Sequence, residues 1–467
     1  MRKTDVRTEM KEQLQSKTLF EQAKRCAYDY IDGLEKMPVS PPASSLEALK
    51  AFDGPMPQDP GRGGDILELL HRYGSPNTIA QAGGKYFGFV CGGSVPVSLA
   101  AKWLSDLWDQ NSALFVLSPI AAKLEEVCEQ WITELLDLPQ GTAAGFVSGS
   151  STAIICALAA ARNELLRKQG WDVSSRGLFG APPIRVVLSE QAHSSVFKAL
   201  ALLGMGKDRV ESVPADEQGR ISMAKLPKLD QNTLLILQAG NVNSGAFDDF
   251  DRICTMANEA GAWVHVDGAF GLWAAASEKF RSLTRGMEKA DSWSADAHKT
   301  LNTPYDCGIV LCRDRSALIR TMQATGSYIQ YSEHRDGMLY TPEMSRRARS
   351  IELWATLKYL GKDGVKELVD GLCENAVYFA GKLSNNGFAV MNDVVFNQIL
   401  IRCDTPEKTA AMLKNIQASG KCWCGGATWR GEPVIRISVS SWQTTKEDID
   451  DCVEVFKACR TMADAAV

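Results

Sequence analysis

The sequence predicts an α/β fold in which a mainly parallel central sheet is followed by a smaller α+β C-terminal domain. Between about residues 141 and 313, short β-branched apolar runs alternate with helical stretches, as in sheets whose strands are joined by crossover helices. After about residue 326, helices stand beside a few strands that we expect to pair antiparallel. A chain of 467 residues is also long enough for two or three subdomains.

The chain begins with a polar arm. Its first 36 or so residues read as a charged helix that ends at the proline and serine cluster from Pro38 to Ser45, and a second breaker-rich stretch runs from Asp53 to Asp65. The arm has too little apolar surface to fold alone, so we expect it to pack on the rest of the protein or on a partner subunit. The predicted division is a helical arm at 1–80, a large domain at 81–325 and a C-terminal small domain at 326–467.

The elements of the core follow one another in chain order as GFVSG, IICALAAARNELLRK, IRVVLSE, TLLILQAG, CTMANEAG, WVHVDGAF and GIVLCRD. The C-terminal domain is predicted from a helical run at Arg347 to Val369, the segment FAVMNDVVFNQILIRC, a helix near Pro406 to Ser419, and VIRISVSSW. Parallel strands present their carboxyl ends to a ligand crevice, and each candidate functional motif falls after such a strand.

Composition excludes several classes of function. A net charge of −5 with scattered Lys and Arg residues gives no footprint for nucleic acid. The 13 cysteines are odd in number and spread from Cys26 to Cys459, which favours free thiols and no metal site. The N-terminus is too polar for a signal peptide, and no apolar run approaches the roughly 18 residues of a membrane helix. We therefore expect a cytoplasmic protein without a membrane partner.

An anion site is predicted in the segment FVSGSSTAIICALAAAR, where a strand runs into a glycine and serine turn and then a long helix. Ser150 and Ser151 offer hydroxyls, main-chain N–H groups and the positive end of the helix dipole to an anion such as phosphate. Serine is also an ordinary helix cap, so this segment alone leaves both interpretations open. Neither GxxxxGK[ST] nor GxGxxG is present, which removes the usual markers of nucleotide binding.

Three further segments carry residues that can react. In WVHVDGAFG, Asp267 ends an apolar strand and small Ala269 follows. A buried carboxylate there needs a partner, such as a protonated pyridine nitrogen. The alternative is that Asp267 caps the next turn. In SADAHKTL, Lys299 follows His298, and sheltered lysine amines serve as Schiff-base nucleophiles. In SEQAHSSV, His193 follows a strand and is either a stacking partner for a flat cofactor or a structural histidine.

Together the segments AHSSV, HVDGAFG and DAHK, with the serine turn before them, closely resemble the group II decarboxylases that depend on pyridoxal phosphate. That family includes aromatic L-amino-acid decarboxylase and glutamate decarboxylase. The resemblance runs from Tyr86 to Trp442. It implies the type I, aspartate aminotransferase-like fold of pyridoxal phosphate enzymes, built as a homodimer with active sites at the subunit interface.

The resemblance also implies roles for individual residues. Lys299 would hold pyridoxal phosphate as a Schiff base, His193 would stack on the pyridine ring, and Asp267 would pair with the pyridinium nitrogen. The remaining contacts would be Ala269 against the ring and Ser150, Ser151 and His298 around the phosphate. The implied reaction is decarboxylation of an L-amino acid to the amine and CO2, through an external aldimine and a quinonoid intermediate stabilised by the ring as an electron sink.

The family protonates the product carbon from a tyrosine on a mobile loop after the lysine, and ATGSYIQYSEHRDG contains Tyr328 and Tyr331. We favour Tyr328 by its distance from Lys299. Relatives that oxidise the substrate to an aldehyde tend to have phenylalanine there, so a tyrosine favours simple decarboxylation; the alternative is an ordinary surface tyrosine.

Two departures from the family pattern concern the cofactor and the substrate. Gly240-Asn241-Val242 stands where the family often has Gly-Thr-Thr, and we expect Asn241 to bond the ring hydroxyl instead. Thr300 replaces an apolar aromatic residue. Candidates for anchoring the loop or binding a carboxylate are Arg346, Arg347, Arg349 and Arg436.

The substrate is predicted to be an amino acid, with an aromatic one slightly favoured, because the expected pocket segments 86–90 and 108–119 are rich in aromatic and apolar residues. Other chemistry with the same cofactor stays open: transamination, aldol cleavage, or decarboxylation coupled to oxidation. So does a non-catalytic binding protein on the same fold.

Overall fold

The computed structural model describes residues 5–324, 326, 329 and 331–466. Its α-helices are α1 (Val6–Ser16), α2 (Thr18–Gly33), α3 (Ala43–Leu46), α4 (Gly63–Leu69), α5 (Pro96–Trp108), α6 (Pro119–Leu135), α7 (Ser150–Lys168), α8 (Val173–Arg176), α9 (Ser194–Leu202), α10 (Phe250–Glu259), α11 (Arg315–Met322), α12 (Ser350–Asn385), α13 (Pro406–Ser419) and α14 (Lys446–Ala466). Its strands are β1 (Tyr86–Phe87), β2 (Ala143–Val147), β3 (Arg185–Ser189), β4 (Glu211–Val213), β5 (Thr233–Gln238), β6 (Trp263–Asp267), β7 (Ser292–Asp296), β8 (Gly308–Cys312), β9 (Ala389–Val390), β10 (Gln398–Arg402), β11 (Trp423–Trp429) and β12 (Glu432–Ser438).

The larger sheet has seven strands in the order β2-β8-β7-β6-β5-β3-β4. Strands β3 to β7 pair in parallel, whereas β8 is antiparallel to both of its neighbours. Helices cover both faces of such a sheet, which explains why its strands read as continuous apolar runs: β2, β5, β6, β7 and β8 are buried at every position. The predicted α/β fold with a mainly parallel sheet is confirmed.

The smaller sheet has five strands in the order β1-β11-β12-β10-β9. Strands β9 to β12 pair antiparallel, as predicted for an α+β domain, but β1 pairs in parallel with the start of β11. Residues 86–87 therefore belong to the sheet of the C-terminal domain although they lie in the range 81–325. The three-part division of the chain stays a prediction. Strand β1 lies in the predicted range 81–325 but pairs with a strand of the predicted range 326–467.

Helix α12 connects the two cores. Leu353 and Leu357 pack in the core of the large sheet, while Phe379 and Leu383 pack in the core of the small one. The helix extends past the predicted end at Val369 to Asn385, and Gly361 interrupts it with a backbone φ of 61°, a conformation that glycine adopts without strain. One long helix thus packs in the cores of both sheets.

The N-terminal arm is helical, as the sequence predicts, and α1 and α2 contain no buried residue. Its contact with the body includes Tyr28 of α2, whose ring stacks on Trp103 of α5 at a centroid distance of 6.3 Å. All 13 cysteines are free thiols. Within the described ranges, every helix is too short or too polar to cross a bilayer.

Candidate active site

The predicted site residues lie at one edge of the large sheet. Asp267 is the last residue of β6, and Asp296 is the last residue of β7, its parallel neighbour. His193 caps the start of α9, shortly after β3, and Ser150 begins α7, shortly after β2. Carboxyl ends of parallel strands meet at the same edge of a sheet, so segments distant in sequence supply a common crevice.

Lys299 is paired with Asp296. Its Nζ lies 2.9 Å from Asp296 Oδ2, with the lysine side chain 19% exposed and the aspartate side chain 1% exposed. The other oxygen of Asp296 accepts a hydrogen bond from Ser150 N at 2.6 Å. Burial by itself raises the pKa of Asp296, but the charge of Lys299 and the hydrogen bonds from Lys299 and Ser150 outweigh it, so the pKa lies below its usual value. The carboxylate is therefore ionised beside the amine.

His298 is buried beside the same carboxylate. Its Nδ1 accepts a hydrogen bond from Cys307 N at 3.0 Å, and its Nε2 lies 3.6 Å from Asp296 Oδ1. Burial lowers the pKa of His298 despite the neighbouring carboxylates. A neutral imidazole that accepts at Nδ1 carries its proton on Nε2, so His298 presents an N–H donor at the anion site.

Asp267 is a buried carboxylate that lacks a cation. It accepts only long hydrogen bonds, from Ala269 N at 3.3 Å and Ser294 Oγ at 3.4 Å. Burial raises its pKa, although the charge of Lys299 acts in the opposite direction. Among the residues that the structure describes, Asp267 forms no ion pair. A carboxylate held in this state is suited to a cationic N–H donor supplied by a ligand.

His193 is held in one orientation by the helix that it caps. Its Nδ1 accepts from Ser195 N at 3.2 Å and lies 2.6 Å from Ser195 Oγ. Burial lowers its pKa, with Asp267 opposing and the cations Lys299 and Arg436 adding to the decrease. A neutral ring in a fixed plane can stack on a flat ligand, and Ala269, two residues after Asp267, leaves room because its side chain is a single methyl group.

The start of α7 is only partly available to an anion. The Ser150 main-chain N–H is already donated to Asp296, so Ser151, the serine hydroxyls and His298 Nε2 remain as donors. Asn241 is buried, and its side chain bonds within its own turn, to Asn243 N at 2.9 Å and Ser244 N at 3.2 Å; its contact with a cofactor stays a prediction.

The four candidate arginines differ in their partners. The side chains of Arg346, Arg347 and Arg349 pair with Glu125, Glu352 and Asp306, and those pairs tie the segment after the predicted loop to the body. Arg436 on β12 is 9% exposed and donates from Nη1 to Val242 O at 3.1 Å. Its Nε is buried without a hydrogen-bond partner, and among the described residues it forms no ion pair.

Aromatic rings cluster in the first of the two expected pocket segments. Trp423 at the start of β11 stacks between Tyr86 and Phe89, at centroid distances of 5.2 Å and 5.5 Å. The other expected wall, residues 108–119, contacts the segment after the loop, since Phe115 stacks on His334 at 4.0 Å and its N–H donates to Asp336. Trp108, Val116 and Leu117 in that wall are exposed.

Tyr328, the residue favoured as proton donor, lies outside the described residues. Tyr331 is described, and its hydroxyl donates to Ala324 O at 2.7 Å. The structure adds three residues to the site that sequence reasoning did not assign: Asp296, Tyr305 and Cys91. Tyr305 stacks on His298 at 4.3 Å and its hydroxyl contacts Cys91 Sγ at 3.5 Å. The SADAHK motif could have signalled Asp296; the sequence offers no comparable signal for the other two.

The residues present fit pyridoxal phosphate. The amine of Lys299 lies near the carboxylate of Asp267, since its charge opposes the rise in the pKa of Asp267, and Asp267 forms no ion pair with a described residue. A cofactor with an aldehyde and a basic ring nitrogen requires such a pair of groups. The helix start and His298 offer donors for a phosphate. This fit rests on Lys299, Asp267 and His298 and on no residue outside the described ranges.

Comparison with known proteins agrees with this fit. The model of the pyridoxal-dependent decarboxylase conserved domain matches residues 50–403. An aromatic-L-amino-acid decarboxylase of Bacillus atrophaeus is 28% identical over 463 residues, 94% of each chain. A phenylacetaldehyde synthase of Petunia hybrida is 25% identical over 93% of this chain and 92% of its own.

Solved structures share the fold. A crystal structure of Oryza sativa TDC with PLP and tryptamine has a TM-score of 0.89 at 22% identity and covers 99% of both chains. Mouse CSAD has a TM-score of 0.87 at 20% identity, over 96% of this chain and 98% of its own.

Proposed function

The chain belongs to the pyridoxal-dependent decarboxylase family, and from that premise we propose that it converts an L-amino acid, preferably an aromatic one, to the corresponding amine and CO2. Membership confirms the predicted family, fold and cofactor and makes the protein a carboxy-lyase. The observation that carries the proposal is that Lys299 and the buried Asp267, which lacks a cation, lie at one sheet edge. Pyridoxal phosphate, when bound, supplies the electron sink for the carboxylate's departure.

Each of the three side chains at the site has a separate role in binding and orienting the cofactor. Lys299 Nζ is the amine that would bind the cofactor covalently. Asp267 would accept the hydrogen bond of a protonated ring nitrogen and so keep the ring electron-poor. The neutral imidazole of His193, fixed by Ser195, would stack on the ring and orient it. Held in this way, the bond from Cα to the carboxylate can be set perpendicular to the ring, the geometry in which it breaks most readily.

Arg436 is the residue that we assign to a carboxylate of the substrate. Its Nε is buried and has no hydrogen bond, and burial lowers its pKa, which is the state of a guanidinium that awaits an anionic partner. Because every amino acid brings an α-carboxylate, this contact orients the substrate without selecting its side chain. Selection then falls to the aromatic group formed by Tyr86, Phe89 and Trp423, which favours a flat apolar side chain.

Protonation of the product carbon needs an acid within reach of it. We assign this step to Tyr328, with Tyr331 as the alternative. The bond from the Tyr331 hydroxyl to Ala324 O favours Tyr328, since Tyr331 is engaged within its own segment. A chain that protonates this carbon releases an amine, whereas one that admits oxygen there releases an aldehyde, the product named for the petunia relative.

The first test is product analysis. The holoenzyme is incubated with each protein amino acid and with 2,4-diaminobutyrate, and CO2 and the organic product are measured. We expect CO2 and amine in equal amounts, with kcat/KM highest for an aromatic amino acid. A keto acid, glycine, or an aldehyde with ammonia as the main product would contradict the proposal, as would full cofactor loading without turnover of any amino acid.

We also propose that the protein is a homodimer. Helix α5 exposes Trp103, Leu104, Leu107 and Trp108, and the arm exposes Phe20, Ile31 and Ile66. An exposed apolar surface of this extent usually marks an interface, and a second copy is the occupant that a symmetric dimer provides. The exposed residues 116 and 117 extend the surface toward the loop, so the partner is expected to approach the active site.

The dimer is tested with Leu107→Glu. Leu107 is 65% exposed, and a charge buried in an interface costs several kcal/mol unless it is paired. We therefore expect the monomer mass by light scattering at micromolar concentration and a parallel loss of activity. Leu202→Glu is the matched control, because Leu202 is 64% exposed on α9. A Leu107→Glu variant that keeps the wild-type mass and activity would contradict the assignment.

A further inference from the structure

The two carboxylates at the sheet edge have different partners. Asp296 Oδ2 lies 2.9 Å from Lys299 Nζ, whereas Asp267 forms no ion pair with a described residue. They end adjacent strands, β6 and β7. Asp267 is therefore the carboxylate available to the cofactor ring, and Asp296 is the carboxylate that pairs with Lys299. This assignment rests on Lys299 being the residue that binds pyridoxal phosphate.

Asp296 is held rigidly. Its main-chain N–H donates to Ala269 O at 2.8 Å, its main-chain oxygen accepts from Trp273 Nε1 at 3.0 Å, and its Oδ1 accepts from Ser150 N at 2.6 Å. The side chain is 1% exposed, and its Oδ2 pairs with Lys299 Nζ. Asp296 is thus a rigid, buried carboxylate, and Lys299 is the flexible group that it contacts. Such a carboxylate favours the charged form of the amine beside it.

The lysine is also confined. Thr300, the next residue, donates from Oγ1 to Phe270 O at 2.7 Å. Gly92 packs on the other side of the turn, where a Cβ atom would lie 2.2 Å from Lys299 O. The main chain around Lys299 is thereby fixed, and only the side chain can move between the cofactor and Asp296.

Other titratable groups surround the pair. His298 lies 3.6 Å from Asp296, and Tyr305 stacks on His298. His193 and Asp267 face Lys299 from the start of α9 and the end of β6, and their pKa values respond to its charge. Of these groups, only Asp296 pairs with the lysine nitrogen directly.

Amine exchange at the cofactor changes the bonds of this nitrogen. The C=N bond to Lys299 Nζ breaks, and a C=N bond to the substrate nitrogen forms at the same aldehyde carbon. The substrate enters as an ammonium and loses two protons, and Lys299 leaves the bond by gaining two, so protons and charge balance. Lys299 Nζ is cationic before and after the exchange, and a partly buried cation is stabilised in each state by a counter-ion.

We propose that Asp296 is that counter-ion: a positioning residue that keeps Lys299 Nζ cationic while it is bonded to the cofactor and receives it as an ammonium when the substrate takes its place. The alternative is a structural role in which Asp296 only holds the start of α7. These roles separate in Asp296→Asn, because asparagine keeps the oxygen that accepts from Ser150 N and removes the charge.

The test is a pH titration of the visible absorbance of the holoenzyme, which reports the protonated Schiff base at Lys299. Removal of a negative charge disfavours a neighbouring cation, so in Asp296→Asn the pKa of the Schiff-base nitrogen should fall by about one to three units. Asp291→Asn is the matched control, because Asp291 directly precedes the opposite end of the same strand and accepts from Val264 N. Its titration should match the wild type.

The outcomes are distinct. A wild-type pKa in an Asp296→Asn variant with fully formed adduct overturns the inference and leaves the proposed function intact. If Asp296→Asn does not bind the cofactor, Asp296→Glu, which restores the negative charge, is tested instead. A wild-type pKa of the Schiff-base nitrogen in Asp296→Glu supports the inference. A pKa lower by more than one unit contradicts it. An adduct trapped on another lysine overturns the proposed function as well.

Discussion

Replacement of Lys299 by alanine is expected to abolish the visible absorbance of the cofactor adduct and to lower kcat/KM by at least roughly 10⁴-fold, the scale on which loss of a covalent nucleophile acts. The physical reason is that no other lysine amine is described beside the buried carboxylates of β6 and β7. Steady-state CO2 release and absorbance spectra of the reconstituted variant provide the measurement.

Lys299→Arg serves as the matched control for folding. It keeps a cation beside Asp296, where loss of the partner would leave a buried charge unpaired at a cost of roughly 3–5 kcal/mol, yet a guanidinium forms no Schiff base. Both variants should be inactive, and the arginine variant should unfold closer to the wild-type temperature. Activity within tenfold of wild type in a folded Lys299→Arg protein would refute the covalent role.

Asp267→Asn is expected to lower kcat by roughly 10²–10³-fold, the usual effect of removing one charge that stabilises a charge formed during reaction. Without the carboxylate, the ring nitrogen loses its proton and the ring withdraws electrons less strongly. The variant should still bind the cofactor through Lys299. Single-turnover CO2 release separates this effect from weaker substrate binding, which would raise KM instead.

Two comparisons isolate the charge of Asp267. In Asp267→Ala, a cofactor analogue methylated on the ring nitrogen carries a permanent positive charge and should restore part of the lost rate. Asp248→Asn is the matched control, because Asp248 is a buried carboxylate that accepts from Ile221 N and Gln238 N; its loss should reduce stability and leave the chemistry unchanged. No gain of rate with the methylated analogue would contradict the electron-sink role.

Local patterns in the sequence were sufficient to place much of the site. The apolar run that ends at Asp267 forms β6, and the serines after GFV follow β2 at the start of α7. Parallel strands share one edge, so residues at their carboxyl ends were predictable as neighbours from the order of elements alone. The fold class followed from the same alternation.

Long-range pairing was not predictable. Strand β1 pairs with β11, and β8 lies antiparallel between β2 and β7; no periodicity in the chain specifies a partner so distant in sequence. Two partners of the arginines after the loop, Glu125 and Asp306, are likewise remote in the chain. Asp296 stands three residues before Lys299 in the SADAHK motif. The sequence does not give the distance between the two side chains, and that distance identifies the pair.

The most direct measurement is reduction of the holoenzyme with borohydride, followed by peptide mapping by mass spectrometry. Borohydride converts the bond between the cofactor and its lysine into a stable pyridoxyl amine. The account predicts one modified peptide, containing Lys299, and none from the Lys299→Arg variant. Modification of a different lysine, or an unmodified chain after full loading with pyridoxal phosphate, would contradict it.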